Sequence, residues 1–424
     1  MAKSKNNKTL RTPIIPKDWV MKELGQLFDF KNGINASKED YGNGVKFINV
    51  MEVIYHNCIT ADMIPGSVKI SKKQMDDFNV KRGDVLFNRT SETTNEIGLA
   101  AVYQDDEKVV FGGFVIRGTS KDKAIFDDYK KYCFHSKFVR DQIIKVGQGA
   151  VRTNIGQGDL EKVKLLLPKL PEQKAIAHIL TLMDTAIKKN AELISKKKLY
   201  KEWLTEKLLT GKKRLKGFHR EWKEYSLKNI CKLIKDGTHG THKEVENGIP
   251  LLSAKDINHG SIYIPENCRK ISVEDYNQIH RNYEILVGDI VVTIVGTIGR
   301  TSIVQQNHTP FTFQRSVAIF RLNEKAIPEY IYQVFSSKFF IHILNKKANA
   351  SAQSGVYLGE LEKIKIKIPL IKEQTSIAKI LQAVDTEIQL LKTKDEKLVE
   401  KKAGLMNVLL TGKERLKLIN YAAK

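Results

Sequence analysis

The sequence has 424 residues, 42% of them hydrophobic, which is enough apolar material for more than one core because domains usually run to about 100–200 residues. Lysine and arginine outnumber aspartate and glutamate by 71 to 48, and the net charge of +23 favours a polyanionic partner, nucleic acid before an anionic membrane, although exposed lysines also serve ordinary solvation. No stretch approaches the ~18 apolar residues of a membrane span, so the composition argues against a membrane protein.

The chain begins with a predicted polar tail, residues 1–12, which lacks the apolar core of a secretory signal. Residues 13–166 are predicted to form a mixed α+β domain. Within it, Gly83-Asp84 is typical of a turn, and the apolar run that follows is typical of a strand. Alternating lysine and apolar residues ahead of Pro168 indicate a further, half-buried strand.

Residues 167–216 are predicted to form a long helix. Apolar residues recur at steps of three and four between Ile176 and Ile194. Pro168 can precede a helix but not lie inside one, and Gly211 suits its C-terminal end. Roughly 38 residues at 1.5 Å per residue give a rod of about 55 Å, too long to cover its apolar stripe with one small domain. We therefore expect it to pack on another helix.

The second half of the chain repeats this order. Residues 217–367 are predicted to form a second domain, residues 368–418 a second helix, and residues 419–424 a tail. The helices align at one constant offset, and the domains share fainter landmarks; the matching segments are 168–180 with 369–381, 208–216 with 409–417, 18–19 with 221–222, 47–53 with 251–257, and 83–87 with 288–292. The domains diverge between these landmarks, so one scaffold is predicted to carry two surfaces.

The predicted fold is mixed α/β: two α+β recognition domains separated by two long helices that pack as an antiparallel coiled coil, with a pseudo-twofold internal repeat. Four polar residues interrupt the apolar stripes of the helices: Asn190, Lys197, Asp395 and Lys402. Polar seam residues can fix the register of a coiled coil. The alternative is that the seam turns towards solvent at these positions.

The sequence lacks the motifs of an enzyme. Thr210-Gly211-Lys212 follows a helix and has no upstream glycine, so it is a helix cap and not a phosphate loop. His239 and His242 lie in a Gly/Thr loop without the carboxylate of a zinc-protease motif, and no Gly-x-Ser-x-Gly segment occurs. The four cysteines form no Cys-x-x-Cys pair, which predicts reduced thiols. We expect no catalytic residue, no metal site and a cytoplasmic protein.

The repeated motifs resemble the specificity subunit of type I restriction-modification enzymes. The resemblance rests on the two Pro-x-x-x-Glu-Gln-x-x-Ile-Ala-x-Ile-Leu segments, on the two Leu-Leu-Thr-Gly-Lys-x-Arg-Leu segments, and on Asp236-Gly237-Thr238-His239. It covers nearly the whole chain. The first domain departs from the last motif, with Phe30-Lys31-Asn32-Gly33, which puts a shared role of the two loops in doubt.

The resemblance implies a non-catalytic subunit whose domains each read one half of a split, asymmetric site in double-stranded DNA. Two modification subunits would carry S-adenosylmethionine and methylate adenine, and restriction subunits would add ATP- and Mg²⁺-dependent translocation and cleavage; this chain would hold no cofactor and contact no membrane. The alternatives are a subunit of a methyltransferase-only or type II-like system, an autonomous DNA-acting enzyme, and a structural coiled-coil scaffold. A scaffold would bind DNA without regard to its sequence, whereas a specificity subunit would prefer one split site.

Candidate DNA contacts are polar and basic residues in loops beside strand ends, since these side chains reach base edges and phosphates. In the first domain they are Lys31, Asn32, Asn88, Arg89, Thr90, Arg152, Thr153 and Asn154. In the second domain they are Lys235, Thr238, His239, Thr241, Lys255, Thr297, Arg300, Gln314 and Arg315. The resemblance also implies that the helix starts at Glu172-Gln173 and Glu373-Gln374, with nearby faces, seat the modification subunits; helix capping explains the glutamates equally well.

Overall fold

The computed structural model describes residues 15–147, 152–258, 260–305, 309–349 and 355–416, so the two predicted tails lie outside the described residues. The chain divides into two compact units. Unit one comprises residues 1–191 and 394–424, and unit two comprises residues 192–393. Each unit therefore combines one predicted domain with a part of each predicted helix.

Unit one contains a mixed α+β domain. Its strands are β1 (Val20–Glu23), β2 (Phe28–Asn32), β3 (Tyr41–Ile48), β4 (Cys58–Ile59), β5 (Ser67–Val68), β6 (Val85–Asn88), β7 (Thr90–Ser91), β8 (Ala100–Tyr103), β9 (Val110–Phe111), β10 (Val115–Ser120), β11 (Thr153–Asn154) and β12 (Lys164–Leu167). Its helices are α1 (Leu24–Leu27), α2 (Val50–Tyr55), α3 (Lys72–Phe78), α4 (Asp127–Cys133), α5 (Lys137–Val146) and α6 (Gln157–Glu161).

The main sheet of unit one has the strand order β2-β10-β6-β8-β4 and is antiparallel except for the last pair. The sequence-predicted strand after Gly83-Asp84 is β6, which is buried along its whole length. Gly83 has a positive φ of 88°, as the predicted turn requires. A smaller sheet, β5-β3-β9, lies in the same domain.

The two long helices are α7 (Leu170–Leu209) and α13 (Ile371–Leu409), and each contributes residues to both units. In unit one, Asp184 pairs with Lys402 and the Asn190 amide donates to Asp395 over 3.0 Å. In unit two, Lys197 pairs with Glu387 over 2.8 Å. In unit one the residue number of the α7 partner rises from 184 to 190 while that of the α13 partner falls from 402 to 395, so these helix segments pack antiparallel. The stripe-interrupting residues form pairs between the helices, as the register explanation requires.

Unit two repeats the α+β architecture. Its strands are β13 (Lys223–Ser226), β14 (Cys231–Asp236), β15 (Ile249–Leu252), β16 (Ile257–Asn258), β17 (Ser261–Ile262), β18 (Lys270–Ile271), β19 (Ile290–Thr293), β20 (Thr301–Ile303), β21 (Thr312–Phe313), β22 (Val317–Leu322) and β23 (Lys365–Ile368). Its helices are α8 (Leu227–Ile230), α9 (Val273–Ile279), α10 (Pro328–Phe335), α11 (Lys338–Asn349) and α12 (Leu358–Glu362). The main sheet has the order β14-β22-β19-β20.

The long helices are part of each core. In unit one, Ile176 and Leu180 of α7 are buried in the same cluster as Leu409 of α13. In unit two, Leu208 of α7 is buried with Leu381 of α13. Burying such apolar surface contributes roughly 25 cal/mol per Å², so each domain is fixed to helix surface by its own core and does not depend on a flexible linker.

Candidate nucleic-acid interface

A closely packed glycine lies at the end of a main-sheet strand in each domain. Gly33 follows β2, and its N–H donates to the Val115 carbonyl over 3.2 Å; Gly237 follows β14 and donates to the Val317 carbonyl over 3.0 Å. A Cβ atom at Gly33 would lie 2.2 Å from the Gly112 oxygen, and one at Gly237 would lie 2.1 Å from the Phe313 oxygen. The two loops are therefore structural equivalents. The departure of the first domain from the second-domain motif changes the side chains but not the backbone.

Each glycine lies against a tight turn, which we call turn one (residues 112–115) and turn two (residues 314–317). In turn one, the Gly113 N–H donates to the Ile34 carbonyl over 2.8 Å, and the Phe114 carbonyl accepts from Arg89 over 2.9 Å. In turn two, the Arg315 N–H donates to the Thr238 carbonyl over 3.0 Å, and the Ser316 carbonyl accepts from Ile294 over 2.9 Å. Both turns are thus held by several chain segments.

Four predicted contacts of the first domain come together beside turn one. Strands β7 and β11 pair Thr90 with Asn154 and Ser91 with Thr153. The Thr90 hydroxyl donates to the side-chain amide oxygen of Asn154 over 2.7 Å, and the Arg89 guanidinium donates to the Gly113 carbonyl over 3.2 Å. Asn154 is exposed and Arg89 half-buried, so this group presents amide and guanidinium donors at the edge of the domain.

The other predicted residues of the first domain occupy different positions. Arg152 is exposed and pairs with Glu92 over 3.3 Å. Asn32 is exposed at the end of β2, whereas the Lys31 ammonium donates to the Asp77 carbonyl over 2.8 Å and lies 4.5 Å from the Phe78 ring centre. Lys31 is therefore engaged within the domain, and Asn32 is the more available of the two.

Asn88 requires a correction, because the structure buries it completely. Its amide nitrogen donates to the Glu96 carbonyl over 3.0 Å, and its amide oxygen accepts from the Thr90 N–H over 3.3 Å. The prediction that Asn88 contacts DNA is wrong for this conformation, since the side chain has no exposed surface. Asn88 instead shapes the loop that carries Arg89 and Thr90.

In the second domain, the Asp236–His242 loop is bonded internally. The His239 ring lies 2.6 Å from the Asp236 carboxylate, and the Thr238 hydroxyl lies 2.7 Å from the His242 ring. The Lys235 ammonium lies 4.4 Å from the centre of the Tyr283 ring, an arrangement stabilised by cation–π attraction. Burial raises the pKa of Tyr283 to about 12, so the phenol stays neutral.

The remaining second-domain candidates differ in exposure. Gln314 is half-buried, and the exposed ones are Thr241, Lys255, Thr297 and Arg315. Arg300 is half-buried, and its guanidinium lies 3.4 Å from both the Ala254 and the Ile257 carbonyl oxygens. These contacts join Arg300 to the short helical turn that begins at Ala254, and its contact with DNA stays a prediction.

The predicted partner-contact residues are also corrected. Gln173 is buried, donates to the Ala124 and Pro168 carbonyls over 2.9 Å each, and accepts from the Phe126 N–H. Gln374 makes the equivalent bonds in unit two, and both glutamates are buried as well. Because these side chains bind their own domain to the start of each helix, they are not available for direct contact with a partner.

Each buried glutamate binds an arginine. The glutamate lies at the start of one long helix, and the arginine follows the C-terminal end of the other. In unit one, Arg415 contacts both Glu172 and Asp18, and the Trp19 indole donates to Glu172 over 3.0 Å. The hydrogen bond to Arg415 lowers the pKa of Asp18. In unit two, Arg214 binds Glu373 with two 2.8 Å bonds. In each unit, the arginine of a Gly-Lys-x-Arg segment therefore binds the C-terminal end of one helix to the start of the other.

Polar contacts also fix each domain against the helices. The Tyr132 hydroxyl donates to Asp184 over 2.7 Å, and Asp184 in turn pairs with Lys402. In unit two, Gln333 donates to Asp385 over 3.0 Å, and Asp385 pairs with Lys201. These three-residue groups occupy corresponding repeat positions. In each unit, an aspartate–lysine pair at the same repeat positions thus holds the recognition domain to both helix segments.

Sequence reasoning missed two exposed aromatic features. Phe114 in turn one is 55% exposed, and a search for polar side chains could not find it; aligning residues 111–115 with 313–317 places Phe114 opposite Ser316. The second feature is a groove of about 920 Å³ in unit two, lined by Leu199 and Trp203 of α7 and Phe339 of α11, among other residues.

Among the described residues, no group of three His, Cys, Asp or Glu side chains could hold a metal ion. His239 and His242 instead bind Asp236 and Asp275. Within the same part of the chain, no helix is long and apolar enough to cross a membrane. All four cysteines are free thiols.

Comparison with known proteins supports a nucleic-acid surface. Residues 16–196 and 219–400 each match a family model described as the type I restriction modification DNA specificity domain. The type I restriction enzyme MjaVIII specificity subunit of Methanocaldococcus jannaschii is 26% identical over 439 residues, covering 99% of this chain and 98% of that protein.

Solved structures share the fold. The S subunit of the type I restriction-modification system from M. genitalium has a TM-score of 0.55 and 17% identity, covering 96% of this chain and 98% of that one. A chain from a structure that describes complex assembly and conformational transition of the type I R-M system has a TM-score of 0.62 and 14% identity, covering 94% and 99%. These likenesses extend over both units.

Proposed function

Because the chain belongs to the family of type I restriction modification DNA specificity domains, we propose that it is the DNA-recognition subunit of a type I restriction-modification complex. Each domain reads one half of a split, asymmetric site. The observation that carries this proposal is that Gly33 and Gly237 make the same backbone contacts with the adjacent turn; we call this arrangement the glycine frame. The side chains on the two frames differ, with Gly-Gly-Phe in turn one and Gln-Arg-Ser in turn two. One frame with two surfaces suits a target whose two halves differ.

The chemistry of DNA recognition fits the exposed residues. Arg315 and Asn154 are exposed. Arg315 can offer paired donors to a guanine edge, and Asn154 can offer one donor and one acceptor to an adenine edge. The net charge of +23 supplies the attraction to phosphate that makes such binding strong and salt-sensitive. Methyl transfer and cleavage are proposed to belong to partner subunits, with S-adenosylmethionine, ATP and Mg²⁺ bound there, in the cytoplasm where the DNA lies.

The test is to express the chain with its modification subunit and to map methylated adenines across the host DNA. The expected result is one split motif with different halves, and purified complex should bind that motif far more tightly than unrelated DNA. Methyl transfer or cleavage by the chain alone would show an autonomous enzyme instead. Binding that ignores DNA sequence, with no motif in the methylome, would show a scaffold.

Two modification subunits are proposed to seat on exposed faces of the helices. The best-defined seat is the groove in unit two, which is lined by Trp203 and by Leu199, itself 64% exposed. The neighbouring Tyr200 stacks with Trp203, and their ring centres are 6.0 Å apart. Exposed aromatic side chains on a helix face are typical anchors of protein interfaces. Gly404 stands at the repeat position of Trp203 in α13, so the seat in unit one has a different surface.

Trp203→Asp is expected to weaken binding of one modification subunit at least tenfold, since truncating a central aromatic anchor typically costs ~2 kcal/mol or more. Native mass spectrometry of the assembled complex should show a shift towards one modification subunit per chain. Leu390→Asp is the matched control, because Leu390 is 66% exposed on α13 and does not line the groove. Equal stoichiometry for the two variants would contradict this seat.

A further inference from the structure

Turn one carries an exposed phenylalanine that the fold does not need. Phe114 is 55% exposed, and Phe339 in unit two is the one other exposed phenylalanine among the described residues. The neighbouring Phe111 is fully buried. A large ring left in water gains little for folding, so its position calls for another explanation than packing.

The backbone beneath Phe114 is fixed. The Val115 N–H closes the turn on the Gly112 carbonyl over 2.9 Å, and Gly112 itself donates to the Ile48 carbonyl over 3.0 Å. The Phe114 carbonyl accepts from the Arg89 N–H over 2.9 Å. The backbone that carries the ring is therefore fixed, so this turn does not have to be ordered when the ring makes a contact.

Two hydrogen-bonding side chains lie next to Gly113, the residue that precedes this apolar group. The Arg89 guanidinium reaches the Gly113 carbonyl over 3.2 Å, next to Phe114 in the chain. The Asn35 amide lies so close to Gly113 that a Cβ atom there would be 2.0 Å from its oxygen. An apolar tip with guanidinium and amide groups beside it matches a base-pair edge in the major groove, where the thymine 5-methyl is the apolar group among donors and acceptors.

We propose that Phe114 contacts a thymine methyl group in the major groove and so specifies one A·T pair in the half-site that unit one reads. This inference rests on the proposed DNA-recognition function. The alternative is a wedge between base pairs, which partly unstacks them and kinks the duplex. Phe114 keeps nearly half of its surface covered by the domain, which favours contact with a base edge.

Unit two has a different group at this position. Ser316 replaces Phe114, and its hydroxyl accepts from the Ala254 N–H over 3.1 Å. The donors of turn two are Gln314 and Arg315. Unit two is therefore built to read its half-site through hydrogen bonds at the place where unit one offers an apolar contact.

The experiment uses the full complex with its modification subunits and the site found by methylome mapping. Each thymine of the two half-sites is replaced in turn by deoxyuridine, which removes only the methyl group. We expect one position in one half-site to weaken binding about fourfold, the worth of one buried methyl. With Phe114→Ala, the thymine and deoxyuridine duplexes should bind equally, at the level of the wild type on deoxyuridine.

Two further variants make the result decisive. Phe114→Leu keeps an apolar tip and should retain part of the deoxyuridine effect. Tyr263→Ala removes a 62% exposed aromatic ring of unit two that does not line the groove, and it should retain all of the effect. A Phe114→Ala complex that still discriminates thymine from deoxyuridine overturns the inference. Loss of 2-aminopurine unstacking in this variant, without a methyl effect, would show a wedge and overturn it too. If no split site exists, the proposed function itself fails.

Discussion

Replacing Arg415 by alanine is expected to destabilise unit one by about 2–4 kcal/mol, because it leaves a buried carboxylate without its charged partner. The side chain of Glu172 is 3% exposed, and Arg415 binds it through two nitrogen atoms while also pairing with Asp18. The Trp19 indole is the remaining donor to Glu172. One neutral hydrogen bond does not offset the desolvation of a buried charge.

Urea unfolding followed by the fluorescence of tryptophan measures the effect, with Arg82→Ala as the control. Arg82 also donates two guanidinium hydrogen bonds to one carboxylate, that of Asp106, but both side chains are more than half exposed. Removing such a surface pair should change the free energy of unfolding by about 1 kcal/mol or less. Equal losses for the two variants would mean that the Arg415 contact is no more than a surface ion pair.

The sequence carried enough information for the repeated architecture because the helices obey a simple period. The spacing of Ile176 and Leu180, with Pro168 and Gly211 at the ends, was sufficient to predict α7. The same reasoning could not assign individual roles to polar residues. Asn88 looked like a DNA contact by residue type and loop position, but its burial and hydrogen bonding depend on the whole domain.

The errors at the helix starts have a related cause. Glu172 and Gln173 stand in the most strongly repeated motif, and repetition alone does not distinguish a partner site from an internal bond. Their partners, such as Arg415, lie far away in sequence. Phe114 was missed for the opposite reason, since phenylalanine is by default a core residue. Where the strand ends meet is a tertiary property that no local pattern encodes.

Gly237→Ala is expected to impair recognition of one half-site at least tenfold, because the added methyl would lie 2.1 Å from the Phe313 oxygen and 2.4 Å from the Gln314 oxygen. Both obstacles are backbone atoms, so turn two must move. Overpacking of this kind costs about 1–3 kcal/mol of stability. Displacement of Arg315 would also remove its proposed bidentate contact with a base. A good contact of this kind is worth ~1–3 kcal/mol of discrimination against the wrong base.

The expected result is specific to one half of the site. Complexes with Gly237→Ala should bind poorly to the native duplex, yet mutating the half-site of unit two should weaken them little further, while the other half-site keeps its full effect. Gly359→Ala is the matched control, because a Cβ atom there meets open space and alanine favours the helix α12. If Gly33→Ala affects the same half-site as Gly237→Ala, the two frames do not read separate halves. If the two variants affect opposite halves, the duplicated glycine frame is what divides the target between the units.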